Sequence, residues 1–272
     1  MGDRRTILVA DSCAGGFAVL RNLLECTEND HFVYLCDGGK NPFGLKSQKE
    51  IQDIVVDWLR FAQGIQASVL IVACNTASAA IQPIRKELEK TFNILVISMF
   101  EAAKKAFDCN SSFIEKKRLV LFGTKYTISS HLLDEEIKKY NPLDIQYIAG
   151  TNAERMVARG KMDSIEDIIA VKKELELLND TSINTIVLAC TCFEFLINLI
   201  HEIHPKIGII NINEYVPDLL PSGNESCPKR KAKLEDVVFL TTGDVVEWSK
   251  NMNTVVRIAK CSPVNVRGIS IH

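Results

Sequence analysis

Two apolar runs in this chain each end in a cysteine. "LIVACNTASAA", from Leu70 to Ala80, leads four apolar residues, Leu70 to Ala73, into Cys-Asn-Thr, and "TIVLACTCFEF", from Thr185 to Phe195, leads a similar run into Cys190. A free thiol titrates at about 8.5, and a helix N-terminus or a nearby cation lowers that value, so one cysteine can wait as thiolate while its counterpart keeps its proton. Two such groups on opposite sides of a carbon acid can remove the α-proton of an amino acid from one face and return one to the other. Their roles then swap with the direction of reaction. Cys74 and Cys190 are the candidate pair. Asp11, which stands before Ser12 and the Gly15-Gly16 turn in "ADSCAGG", is the candidate carboxylate beside them.

The elements that must hold these residues are strands and helices in alternation. Apolar, β-branched runs occur at 6–10, 32–36, 68–73, 94–98, 118–122, 144–149, 184–189, 207–212 and 237–242. Their apolarity is continuous rather than alternating, as expected of strands covered on both faces. Helix-period segments fill the gaps at 46–65, 77–92, 129–140, 164–180 and 244–259. The pattern predicts an α/β fold with largely parallel sheets, whose ligands bind where strands end and helices begin. Polar signatures sit at four such junctions: "ADSCAGG", "ACNTAS", "GTKYTISS" and "ACTCFEF". The stretch from Asp11 to Cys74 is nearly as long as that from Thr124 to Cys190, which points to an internal duplication. We therefore expect two similar, pseudo-symmetric α/β domains, residues 1–98 with 206–272 and residues 99–205, with the active site at their interface.

Composition narrows the function classes. The 272 residues are 47% hydrophobic and 24% charged, with a net charge of −2, which gives no footprint for nucleic acid. No apolar run approaches the roughly 20 residues of a membrane helix, and "MGDRRTILVADS" has no signal-peptide core, so a cytoplasmic location without membrane contact is expected. Gly2 followed by Thr6 fits a weak myristoylation pattern, but Thr6 opens a strand. The basic run "PKRKAK", Pro228 to Lys233, reads as a solvated turn. Nine cysteines form no disulfide framework and read as reduced. Cys26, Cys36, Cys109, Cys227 and Cys261 read as packing or surface residues. Cys190-x-Cys192 with His201 and His204 is not a recognised zinc spacing, and the histidines read as surface residues. "CAGG" lacks the spacing of a dinucleotide fingerprint.

Six short motifs in register carry a resemblance to the glutamate racemases of the aspartate/glutamate racemase superfamily: "DSCAGGFAVL", "NPFG", "ACNTASA", "GTKYTISS", "ACTC" and "LTTGD". The resemblance covers most of the chain. It implies a racemase free of metal and of any other cofactor, interconverting L- and D-glutamate for cell-wall peptidoglycan, with an acidic amino acid as its small-molecule partner and a homodimer as its assembly. Carried over by position, it makes Cys74 and Cys190 the acid/base thiols, with Asp11 assisting Cys74. It makes Ser12, Phe43, Gly44, Asn75, Thr76, Thr124, Thr127, Thr191 and Cys192 the substrate-binding positions. Four departures stand out: Cys192 replaces the family's histidine, Phe43 its tyrosine, Cys13 a loop glycine, and Glu194-Phe195 a proline-bearing continuation. A side chain at Cys13 is expected to reshape its loop, and the family's later glutamate has no clear position near "NAERMVARG". These departures leave open a racemase of another acidic amino acid, such as aspartate, or a catalytically weakened binding or regulatory homologue.

Overall fold

A computed structural model of the chain describes residues 5–27, 30–221 and 232–271. Gly2, Cys227 and most of the basic run 228–233 lie outside the described residues. The apolar runs become strands, the central ones buried on both faces, and a short edge strand joins them: β1 Thr6–Asp11, β2 His31–Cys36, β3 Val69–Val72, β4 Leu95–Ser98, β5 Arg118–Gly123, β6 Asp144–Ala149, β7 Thr185–Ala189, β8 Gly208–Asn211, β9 Val238–Thr241 and, at the edge, β10 Val266–Gly268. They form a six-stranded sheet, β10-β9-β2-β1-β3-β4, and a four-stranded sheet, β6-β5-β7-β8. Every described pairing is parallel.

The duplication is visible in the strand order. The run β2-β1-β3-β4 of one sheet repeats as β6-β5-β7-β8 in the other, so β1 corresponds to β5 and β3 to β7. Ala10 pairs with Val72, and Gly123 with Ala189, which brings the carboxyl ends of the two central strands level in each sheet. The boundary at 205/206 needs correction. Gly208–Asn211 was expected with the first unit, but it bonds to β7 through four register positions, from Thr185↔Gly208 to Leu188↔Asn211. The duplicated unit needs its fourth strand, which the boundary would have cut away.

Helices follow local chemistry. Ser47 and Glu50 form a reciprocal capping box that opens the helix Gln48–Gly64. The segment 77–92 is two helices, Asn75–Ile81 and Arg85–Phe92, because Pro83 supplies no N–H to continue a ladder. The first of these buries six of its seven residues, and its small side chains let it press against the strand ends. The segment 129–140 yields only the short helix Asp134–Lys138.

One apolar core lies on the outer side of the first sheet, around Trp58, Leu70 and Phe43. A larger core runs from the inner side of that sheet, Ile7, Val9 and Phe17, into Leu119, Phe122 and Phe193 of the second unit. At roughly 1.5–3 kcal/mol for each fully buried large side chain, this shared core holds the two sheets together. Polar ties cross with it. Arg21 pairs with buried Glu194, which also accepts from Asn211 Nδ2 and Asn213 Nδ2, each at 2.9 Å. The replacement of a proline-bearing segment by Glu194-Phe195 thus supplies a cross-unit anchor.

Candidate active site

The site lies where the carboxyl ends of β1, β3, β5 and β7 converge. Asp11 ends β1 and is 1% exposed. Its carboxylate accepts from Ser12 N at 2.6 Å, Ser12 Oγ at 3.3 Å and, across the boundary, Thr191 Oγ1 at 2.9 Å. Burial outweighs these bonds and raises its pKa from 3.8 to about 6. Gly15 and Gly16 permit this close approach: an added Cβ would fall 2.4 Å from Cys192 Sγ at the first and 2.6 Å from Asp11 Oδ2 at the second. Tyr34 Oη donates to the Cys13 carbonyl at 2.9 Å and fixes the same loop.

Cys74 occupies the position before the helix Asn75–Ile81, without a capping bond from its side chain. Its Sγ lies 3.5 Å from Ser12 Oγ. Burial, reinforced by the Asp11 charge, holds this thiol well above its ordinary pKa. Asp11 therefore reaches Cys74 through the Ser12 hydroxyl. Asn75 is buried with no hydrogen-bond partner for its Nδ2, a donor aimed at nothing in the protein. Thr76 Oγ1 meets Thr124 Oγ1 at 2.9 Å, and Thr124 Oγ1 meets Thr127 Oγ1 at 2.9 Å, so a chain of hydroxyls joins the two units. Thr124 also caps its short helix by accepting from Thr127 N.

Cys190 follows β7 in extended conformation and leads into the turn Thr191–Leu196. Two residues on stands Cys192, whose Sγ lies 3.4 Å from Cys13 Sγ. The Cys13 backbone is extended, so the side chain replaces a glycine there without strain. The expectation that it reshapes the loop is corrected accordingly.

Other expected positions fall differently. Phe43 is 1% exposed and stacks on Trp58, with centroids 5.8 Å apart, so it serves the outer core. Gly44 has open space around it, and its turn packs against both Asn75–Ile81 and Lys125–Ser129. In "LTTGD", Thr242 donates to Asp37, whose other oxygen accepts from Trp58 Nε1 at 2.7 Å; the motif braces the loop after β2. His201 is exposed, but His204 is buried against the Ile183 carbonyl at 3.1 Å, a correction to its reading as a surface residue. Among the described residues no group of three side chains is placed to hold a metal.

Sequence reasoning left Glu154 unplaced. It lies on the helix Thr151–Ala158, and burial with the nearby Asp11 charge raises its pKa to about 7. Its own charge is felt by Cys13. Its position in the helix after β6 was the available signal.

The sequence signature of the Asp/Glu/Hydantoin racemase family matches residues 13–212. This chain belongs to that family. It is 31% identical over 208 residues to a glutamate racemase of Limosilactobacillus reuteri, covering 76% of this chain and 74% of the relative. A glutamate racemase of Bacillus anthracis, isoform RacE1, superposes with a TM-score of 0.77 at 22% identity, covering 98% of this chain and 97% of that one. The glutamate racemase of Francisella tularensis in complex with D-glutamate superposes equally well at 21% identity, covering 98% of each chain. Within this racemase-family fold, the four strand-end motifs form one buried, hydroxyl-rich cluster. No helix among the described residues is long and apolar enough to cross a membrane.

Proposed function

We propose that this chain is a glutamate racemase that works by two-thiol acid/base catalysis and supplies D-glutamate for peptidoglycan. The observation that carries the reading is the placement of Cys74 and Cys190 at corresponding positions of two sheets with the same strand order, each at a strand's carboxyl end. One thiolate takes the α-proton, the carbon becomes planar, and the other thiol delivers a proton to the opposite face. Cys74, held well above its ordinary pKa, is a strong base once deprotonated, which suits a weak carbon acid. The substrate ammonium supplies the positive charge that favours its thiolate, and Asp11, near 6, accepts a proton by way of Ser12. None of the proposed substrate-binding residues is cationic. Asn75 Nδ2 and the hydroxyls of Ser12, Thr76, Thr124, Thr127 and Thr191 hold the carboxylates, with Gly44 at the rim, Cys192 buried behind Thr191 and Phe43 setting the position of its turn. The reading requires no cofactor. Homodimerisation belongs to the same proposal on the family resemblance alone, and sedimentation tests it.

The decisive experiment incubates reduced protein with L- or D-glutamate in D₂O and follows the α-proton by NMR, with Cys74→Ser and Cys190→Ser alongside. Exchange abolished in both variants is the expected result. Exchange with aspartate alone would move the substrate assignment, and exchange with neither would make the chain a binding homologue.

A further inference from the structure

Cys13 and Cys192 do not belong to the acid/base pair, yet their sulfurs meet at 3.4 Å across the boundary between the two units. Both are buried, at 2% and 0% exposure. Each stands on a short connection after a strand end, β1 for Cys13 and β7 for Cys192. A disulfide requires about 2 Å between sulfurs, so closure needs a shift of little more than a bond length, shared between two loops. Either sulfur can be the donor across the contact. The Gly15 N–H donates to Cys13 Sγ at 3.4 Å, which favours negative charge on that sulfur, and both thiols lie above their ordinary values, Cys192 well above. Cys13 is thus the better placed of the two to attack.

We propose that Cys13 and Cys192 are a modification site, forming a reversible disulfide that locks the two units together when a hydroperoxide reaches the boundary between them. The Cys13 sulfur attacks the terminal oxygen of the hydroperoxide. An S–O bond forms, the O–O bond breaks, and the departing alkoxide, or hydroxide from hydrogen peroxide, takes up the proton that Cys13 has lost. The Cys192 sulfur then attacks the Cys13 sulfenic acid, the S–S bond forms, the S–O bond breaks, and the leaving hydroxide takes the Cys192 proton as water. Two thiols are oxidised by one hydroperoxide, giving a disulfide, an alcohol or water, and one further water. A dithiol reductant reverses the step. The bond consumes the Cys192 thiol two residues from Cys190 and adds a covalent link across a boundary otherwise held by packing and hydrogen bonds. Loss of turnover in the locked form rests on the proposed function; formation of the bond does not.

The test exposes the reduced full-length chain to hydrogen peroxide, blocks free thiols with iodoacetamide, and maps tryptic peptides by mass spectrometry. Cys13 is alone in the peptide Thr6–Arg21, and Cys192 shares Glu174–Lys206 with Cys190, so fragmentation locates the link. The expected product joins Cys13 to Cys192, disappears with dithiothreitol, and is absent from Cys192→Ser. α-Proton exchange is expected to fall in proportion to the linked fraction and to return on reduction. Cys13 remaining alkylated after peroxide, or a link between Cys190 and Cys192, overturns the proposal on the wild-type chain alone, whatever the folding of the variant. A fully linked protein that exchanges at the unlinked rate overturns the lock. A reduced protein without any exchange refutes the racemase reading and leaves the mapped bond to be judged by mass.

Discussion

The two units share a strand order but surround their thiols differently. In the first, Cys74 has a hydroxyl and a carboxylate in line: Ser12 at 3.5 Å, and Asp11 a further 3.3 Å on. In the second, Cys190 adjoins Cys192 and then Cys13, a file of sulfurs, and Asp11 is reached only through the neighbouring Thr191. A duplicated scaffold therefore supplies equivalent positions without equivalent chemistry. Oxygen partners with a carboxylate near 6 can relay a proton close to neutrality, whereas sulfur partners hydrogen-bond more weakly. On the proposed mechanism the two proton transfers are served by different partners.

Removing either thiol tests the shared part of the comparison and gives the largest effect. Cys74→Ser and Cys190→Ser are each expected to lower α-proton exchange by at least about 10³-fold, the loss of one acid/base partner. Asp11→Asn separates the units: a loss of about 10²-fold is expected, together with loss of the acid limb that wild-type kcat/KM shows as Asp11 ionises through about 6. Stability moves the other way. A carboxyl whose folded pKa is raised stabilises the native state at low pH, and that contribution disappears as pH rises through the folded value. Urea midpoints of the wild type should fall between about pH 4 and about pH 7, and Asp11→Asn should flatten the part between about pH 4 and about pH 6, a difference of roughly 3 kcal/mol at most. Glu154, near 7, supplies the rest. Cys192→Ser should change kcat about tenfold and unequally in the two directions, with KM shifting in step so that kcat/KM stays equal, measured by initial rates from each enantiomer at and below saturation. Equal loss in both would remove the asymmetry argued above. Thr76→Val, which breaks one cross-unit hydroxyl bond, should cost about 1 kcal/mol in chemical denaturation.

The sequence made strands and strand-end cysteines legible because buried parallel strands leave unbroken apolar runs with abrupt polar ends. β6 was read to the residue, Asp144–Ala149. β10 was not read: Val266, Arg267 and Gly268 form no apolar run, and only Val266 is buried on an edge strand held from one side. The allocation of β8 failed because pairing partners leave no mark in a strand's own composition. Glu154 escaped because its character comes from burial near Asp11, which is distant in sequence. The contact of Cys13 with Cys192 was invisible for the same reason. Each was noticed singly as a departure, but only the folded chain shows that the two departures touch.

The hydroxyls of Thr76, Thr124 and Thr127 form a run in which any oxygen can be the donor. A racemase must greet mirror-image molecules in one chamber, and a rigid arrangement of fixed donors would favour one hand. Three rotors can reverse their bonding sense without moving a heavy atom. On the proposed binding mode, the handedness of the guest is absorbed by hydrogen positions rather than by the protein frame.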